Sequence, residues 1–282
     1  MEPLIRNISD TARWVAMYRA EESERPDALF KDPFARKLAG ERGEQIANAI
    51  GFAKKNSWSF VARTYLLDEF IAQHIKQGFD MIINLASGLD ARPYRMDLPS
   101  SLQWVEIDLP GIMDYKESVL KNERPKCKLE SIRLDLSDRQ ARQVIFQQLN
   151  QKCKKALVVS EGLIGYLDEE SAETLSSDLS DQPHFRRWVF DLMSPGLLKL
   201  AQQEMGSFLE AARAPLKFAP KEGETFFLRY GWKCLEAKSQ LKTAAAIKRL
   251  PDDMVAVAGY PEPEGPKGDW VWSGVCLFEN VK

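Results

Sequence analysis

Met81-Ile82-Ile83-Asn84-Leu85-Ala86-Ser87-Gly88-Leu89-Asp90 is the stretch from which the fold is read: a short run, apolar but for Asn84, that stops at two small residues, a glycine and an acid. A short apolar run of this kind suits a strand covered on both faces. The small residues and the glycine let the backbone turn sharply and approach a ligand closely. The rhythm then repeats. β-prone runs stand at Leu102–Ile107, Leu129–Leu134, Ala156–Ser160 and Trp188–Leu192, with helical stretches near Ile112–Asn122, Asp138–Lys152 and Glu169–Ser180 between them. Strands alternating with helices predict an α/β domain built on a doubly wound, mostly parallel, Rossmann-like sheet. Phe226–Lys233 and Val271–Phe278 are also strand-like and have no obvious helix between them, only the turn-rich Gly259–Gly268 segment. They predict a C-terminal antiparallel hairpin closing the sheet.

Upstream of Asp80 the chain reads as helix at Ile8–Glu22, Pro33–Ala39, Glu41–Lys54 and Trp58–Ile75, with Asp32 before Pro33 as a helix cap. The expected division is an N-terminal helical cap or lid over residues 1–78 and a single compact α/β unit over residues 79–282. Charge excludes some partners. Lysine and arginine number 39 against 41 acids, a formal charge of -2, which gives no basic footprint for nucleic acid. No apolar run approaches the roughly 18 residues of a membrane helix. The start, MEPLIRNISD, lacks a secretory pattern, and the four cysteines form no Cys-x-x-Cys pair, so a cytoplasmic protein with free thiols is expected. With only two histidines, no metal site is expected.

In an open α/β sheet, ligands collect at the carboxyl ends of the strands. The first junction is not a GxGxxG fingerprint, since Ala86 replaces the first glycine, and no Walker lysine follows. About twenty residues on, Val105-Glu106-Ile107-Asp108-Leu109-Pro110 offers an acid to a ribose diol: Asp108, with Glu106 as the alternative, or else Asp108 caps the helix begun by Pro110. At the third junction Asp135 and the Leu136 backbone suit the exocyclic amine and a ring nitrogen of adenine, unless Asp135 or Ser137 caps the next helix. At the fourth, Glu161 stands between a buried strand and Gly162, where a carboxylate favours an ammonium group. Asp168 reads as a helix cap. Acids after four strands, Asp90, Asp108, Asp135 and Glu161, point to S-adenosylmethionine rather than NAD.

These residues resemble a known family. Ser9-Asp10-Thr11-Ala12, Arg19-Ala20-Glu21, Asp32-Pro33-Phe34-Ala35 and Asn84 through Arg95 carry the resemblance, with Glu106-Ile107-Asp108-Leu109-Pro110, Asp135-Leu136 and Glu161-Gly162-Leu163. The chain is similar to the leucine carboxyl methyltransferase-like family of class I S-adenosylmethionine-dependent O-methyltransferases, nearest its bacterial branch, which includes polyketide O-methyltransferases. The resemblance thins beyond about residue 195. It implies that Gly88 turns beneath the methionine portion, Asp108 takes the ribose, Asp135 and Leu136 take adenine, and Glu161 is the acid after the fourth strand. It also implies that Arg63 pairs with the cofactor carboxylate. The sequence departs from the pattern at Ala86 and Ser87, where Gly-Ala or Gly-Thr is usual; alanine is tolerated there if φ stays negative. The segment around Pro261–Pro266 matches nothing in the family.

The expected activity is O-methylation of a small-molecule carboxylate such as a polyketide-type acid. A carboxylate, with a pKa of about 4, needs no base, in keeping with scarce histidine, whereas a phenol at about 10 does. Arg19, Arg92 and Tyr166 are the candidates to hold the acceptor. Their alternatives are a solvated helix residue for Arg19, an ion pair with Asp90 for Arg92 and a core position for Tyr166. The Asn56–Tyr65 helix either lines an apolar acceptor pocket or packs the cap onto the sheet. Methylation of a protein C-terminal carboxylate, and a non-catalytic adenosyl-binding protein, are the competing readings.

Overall fold

The structure is a computed structural model that describes residues 8–211 and 213–282, so most of the stretch read for a secretory signal lies outside the described residues. Among the described residues seven strands form one sheet in the order β3-β2-β1-β4-β5-β7-β6. They are β1 (Met81–Leu85), β2 (Gln103–Asp108), β3 (Lys128–Arg133), β4 (Ala156–Ser160), β5 (Phe185–Met193), β6 (Trp232–Ser239) and β7 (Ser273–Asn280). β1 to β5 are parallel, and β7 runs antiparallel to both β5 and β6. The expected Rossmann-like sheet is present.

Alternation sorts the strand residues between two layers. Met81, Ile83 and Leu85 join Val105, Ile107 and Val158 on one face. There they meet Phe146 and Leu149 of α7 (Arg139–Lys152) and Leu175 and Leu179 of α8 (Glu169–Ser180). Ile82 joins Trp104, Leu157 and Val189 on the other face, covered by Leu66, Leu67, Phe70 and Ile71 of α4 (Ser57–Lys76). Each of those α4 side chains, fully buried, contributes roughly 1.5–3 kcal/mol, which fixes α4 as a layer of the sheet sandwich. The helices before it are α1 (Ile8–Glu24), α2 (Ala35–Ala49), kinked where Gly40 has φ +61°, and the short α3 (Gly51–Lys55). They pack on one another, on the turn after β1 through Leu89 and Ala91, and on Ala201, Met205 and Leu209 of α9 (Pro195–Ala211). The remaining helices are α5 (Arg92–Arg95), α6 (Pro110–Leu120), α10 (Gln240–Ala246) and α11 (Asp252–Ala258). Among the described residues no helix is long and apolar enough to cross a membrane.

Two expectations are corrected. Phe226–Lys233 does not form a strand: a 3-10 turn runs over Gly223–Tyr230 and β6 starts at Trp232. A strand would send neighbouring Phe226 and Phe227 to opposite faces, whereas the turn buries both in one aromatic cluster with Phe218. The last two strands do pair antiparallel, but through α10, α11 and a long segment rather than as a hairpin. The Asp32 expectation holds at the start of α2: its Oδ1 accepts from Phe34 N–H at 3.2 Å, the bond a cap before Pro33 makes, while its Oδ2 pairs with Arg19 Nε at 3.0 Å.

Candidate active site

The strand order sets β3, β2, β1 and β4 side by side. The residues at or just past their ends, Asp135, Asp108, Gly88 and Glu161, therefore lie in a row along one cavity of about 340 Å³. Three inter-strand steps of about 4.8 Å make that row roughly 14 Å long. α1 lies over it: a Cβ on Gly88 would stand 3.2 Å from Ala12 Cβ, and Gly88 itself has φ +51°. Ala86 also has φ +51°, so the condition on which alanine is tolerated there, a negative φ, is not met. A left-handed alanine costs roughly 1–2 kcal/mol. Ala86→Gly is expected to raise unfolding stability by roughly 0.5–1 kcal/mol after the extra entropy of an unfolded glycine, read from denaturant midpoints; an unchanged or lowered midpoint would contradict the strain.

Asp108 caps no helix: α6 has Leu109 at its cap position without a side-chain bond. Asp108 Oδ2 accepts from the Gly88 N–H at 2.6 Å and its Oδ1 from Leu109 N–H at 2.7 Å, so it ties the end of β2 to the turn after β1. Burial pushes its carboxyl up, opposed by those two N–H donors. Each oxygen keeps a free lone pair for a further donor. The alternative acid, Glu106, is taken: it is buried and paired with Lys116 Nζ at 2.7 Å, outside the cavity lining. Asp135 is exposed and accepts from Ser137 N–H at 2.9 Å, while the cap of α7 is Asp138, accepting from Ala141 N–H. Leu134 and Leu136 flank Asp135 on the cavity wall. Asp168 caps α8 as expected, accepting from Ser171 N–H at 2.8 Å.

At the β4 end, charges are interlocked. Glu161 Oε1 accepts from Arg63 Nε at 3.1 Å and its Oε2 from Arg92 at 2.8 Å. Burial alone would raise the Glu161 carboxyl, but Arg92 and Arg63 outweigh it and hold it low. Arg92, with a side chain 1% exposed, also pairs with Asp68 at 2.6 Å and Asp90 at 2.7 Å, so the ion-pair reading of Arg92 is the one observed. Arg63 reaches a further acid, Asp191 of β5, at 3.1 Å, and the other Asp191 oxygen accepts from Gly162 N–H at 2.6 Å. Sequence reasoning passed over Asp191. Its signal was an acid inside the apolar run Val189-Phe190-Asp191-Leu192. Arg19 is buried rather than solvated, donating to Asp32 and, at 2.6 Å, to the Leu89 carbonyl of the turn, while it lines the cavity.

A second chamber of about 350 Å³ adjoins the first. Trp14, Phe60, Arg63, Gly162 and Tyr166 line both. Its remaining walls are mostly apolar and come from Phe52 and Trp58, from α9 through Leu197, Leu200 and Met205, and from Met254, Val271 and Trp272. The Asn56–Tyr65 helix thus lines a pocket through Asn56, Trp58, Ser59, Phe60 and Arg63. Burial raises the Tyr166 phenol.

A parallel sheet with acids at successive strand ends, a left-handed turn after its first strand and a second chamber at one end defines a Rossmann-like methyltransferase. Residues 12–180 match the leucine carboxyl methyltransferase family, and the chain belongs to it. A Parafrankia protein provisionally named an S-adenosyl-L-methionine-dependent methyltransferase is 27% identical over 271 residues, 90% of this chain and 85% of that one. A Frankia alni protein of the same provisional name is 29% identical over 279 residues, 92% and 91% of the two chains. Among solved structures, a DUF574 family protein from Streptomyces avermitilis superposes with TM-score 0.63 at 12% identity, covering 96% of this chain and 97% of its own. A Thermobifida fusca protein provisionally titled a methyltransferase gives 0.60 at 14% identity, covering 99% and 96%. These two likenesses extend the shared fold past residue 180.

The protein is an S-adenosylmethionine-dependent methyltransferase. The first chamber fits that cofactor: it is elongated along four strand ends and carries acceptors toward its middle and a paired cation and acid at one end. It also has a turn where a Cβ on Gly88 would press on α1.

Proposed function

We propose that the chain methylates an oxygen of a small molecule held in the second chamber, and that this oxygen is a carboxylate's. The supporting observation is the junction of the two chambers at Arg63, Gly162 and Tyr166, with no histidine in the lining of either. His74 is buried against the Phe70 carbonyl, and His184 is exposed beside Asn150. Tyr166, with its phenol raised by burial, stays protonated at neutral pH. Asp191 is occupied by Arg63 and the Gly162 N–H. An acceptor that arrives already ionised needs no base, and a carboxylate does so.

In this reading Asp108 accepts from the ribose hydroxyls, Asp135 and the Leu136 backbone meet adenine, and Ala86 and Gly88 give the backbone its close approach. Arg63 and Glu161 meet the amino-acid end, a guanidinium suiting a carboxylate and an acid suiting an ammonium. Bound S-adenosylmethionine supplies an activated methyl group. The chain's own contribution is to exclude water through Trp14 and Phe60 and to align the acceptor at the junction, an approximation worth several kcal/mol. Tyr166 is a hydroxyl donor to the acceptor oxygen. Arg19 holds the turn through the Leu89 carbonyl and acts by position rather than on the acceptor.

Methyl-labelled cofactor tests the acceptor chemistry directly. Incubated with panels of apolar carboxylic acids and of phenols at pH 7, the enzyme is expected to yield product whose label is released as methanol by mild alkali, since esters hydrolyse and aryl ethers do not. Label confined to alkali-stable products would refute the carboxylate assignment.

A further inference from the structure

The second chamber opens onto a surface of unusual composition. Val255, Val257, Tyr260, Trp270 and Val271 are each 44–63% exposed. Together they make most of the large apolar surface that the described residues leave in solvent. Scattered exposed apolar residues mean little, but a contiguous group marks a binding face. Two of them, Val257 and Val271, also line the chamber, and Tyr260 and Trp270 lie close beside them in the chain, so the exposed face starts at the chamber mouth. The segment is anchored as a ledge across the start of α9. Gly196 N–H donates to the Gly268 carbonyl at 2.9 Å, and Trp272 N–H donates to Ser194 Oγ at 3.1 Å. A Cβ on Gly196 would stand 2.2 Å from the Asp269 carbonyl oxygen, so only glycine allows this crossing.

The ledge is acidic. Residues 252–271 carry Asp252, Asp253, Glu262, Glu264 and Asp269 and one cation, Lys267, which is turned onto the Trp272 ring at 5.5 Å and bonded to the Pro263 carbonyl, while Glu262 accepts from Trp272 Nε1 at 3.0 Å. Five acids against one lysine repel an anionic lipid surface, which leaves the apolar body of the acceptor as the occupant. We infer that the acceptor is an amphipathic monocarboxylic acid longer than the chamber. Its carboxylate lies at the junction, and its uncharged apolar end lies on the 255–271 ledge, whose acids select against a second carboxylate. The inference rests on the carboxylate reading above and adds to it the length and far-end chemistry of the substrate.

Calorimetry on the full chain, saturated with S-adenosylhomocysteine, tests it with straight-chain alkanoates of six to sixteen carbons and the matching α,ω-dicarboxylates as probes. Affinity is expected to rise about three- to fourfold per methylene and to keep rising for the longest acids. The dicarboxylates should bind at least ~10-fold more weakly. Trp270→Ala with Tyr260→Ser, neither of which lines the chamber, should flatten the rise for long acids alone. Glu264→Gln with Asp269→Asn should narrow the gap to the dicarboxylates. A plateau at the same length in wild type and ledge variant, equal binding of the dicarboxylates, or no alkanoate binding would overturn the inference while leaving the methyltransferase intact. So would a ledge variant that turns a dimer into a monomer by light scattering without weakening long acids, since a second copy would then be the occupant. Failure of S-adenosylhomocysteine itself to bind would instead strike at the site beneath it.

Discussion

Replacing Arg92 with methionine is expected to lower unfolding stability by about 3–5 kcal/mol at pH 7–8, the scale of removing one partner from a buried ion-pair cluster. Arg92 is enclosed and bonded to Asp68, Asp90 and Glu161 at 2.6–2.8 Å, so its loss leaves buried acids facing one another. The pH dependence follows from the same contacts. In the wild type, burial would raise Asp90 and Glu161, but the surrounding cations, Arg92 foremost, with Lys116 next at Asp90 and Arg63 next at Glu161, hold both below the usual carboxylate range. A carboxyl depressed in the folded state contributes stability above its unfolded pKa of about 4 and loses it as pH falls toward the depressed value. In the variant the opposition to burial is weaker, with Lys116, Arg95 and Arg19 left to act on Asp90 and Arg63 on Glu161, so the acids keep less of that depression. The difference between the two proteins is therefore largest near neutrality and narrows as pH falls through about 5 to 3. Urea melts at several pH values measure it, with Arg92→Lys as the control that restores charge without the fork. A pH-independent gap would mean that packing, not charge, is the contribution of Arg92.

Arg63→Met is expected to weaken S-adenosylmethionine binding by about 10–100-fold, because a charge-assisted hydrogen bond contributes about 1.5–3 kcal/mol. Arg63 is the cation shared by both chambers and is braced from opposite sides by Glu161 and Asp191 at 3.1 Å each. Those braces fix its fork, so that little rotamer entropy remains to be lost on meeting a carboxylate. Titration calorimetry with the cofactor reads the affinity directly. Asp191→Asn, which keeps the size but removes one brace, should show part of the loss. An Arg63→Met protein that binds the cofactor with wild-type affinity would exclude Arg63 from the cofactor contact and leave it a clamp between β4 and β5.

The two substitutions differ in what a reader of the sequence alone would have foreseen. Arg92 sits two residues from Asp90, and their pairing was legible as a helix-start contact. Glu161 lies 69 residues from Arg92, and nothing local joins them. Asp191 lies 128 residues from Arg63, and no spacing rule links an acid on the fifth strand to a helix before the first. The 3-10 turn at Gly223–Tyr230 escaped for a related reason: Phe226-Phe227 has the β-propensity of a strand, and only the aromatic cluster waiting at Trp188 and Phe218 decides otherwise.

By itself the sequence determined the alternation of strands and helices, the turn after β1, the acids at the strand ends and the cap at Asp168. Each depends on backbone hydrogen bonds and side-chain periodicity within a few residues, and so on neighbours in the chain. The tertiary structure alone decided which acids are free and which are consumed: Asp108 bridging to Gly88, Glu106 taken by Lys116, Glu161 held between two arginines. It alone built the second chamber, from α4, α9 and the 254–273 segment. Charge pairing and cavity shape arise where distant segments are pressed together, and that juxtaposition is set by packing of the whole sheet rather than by any stretch of sequence.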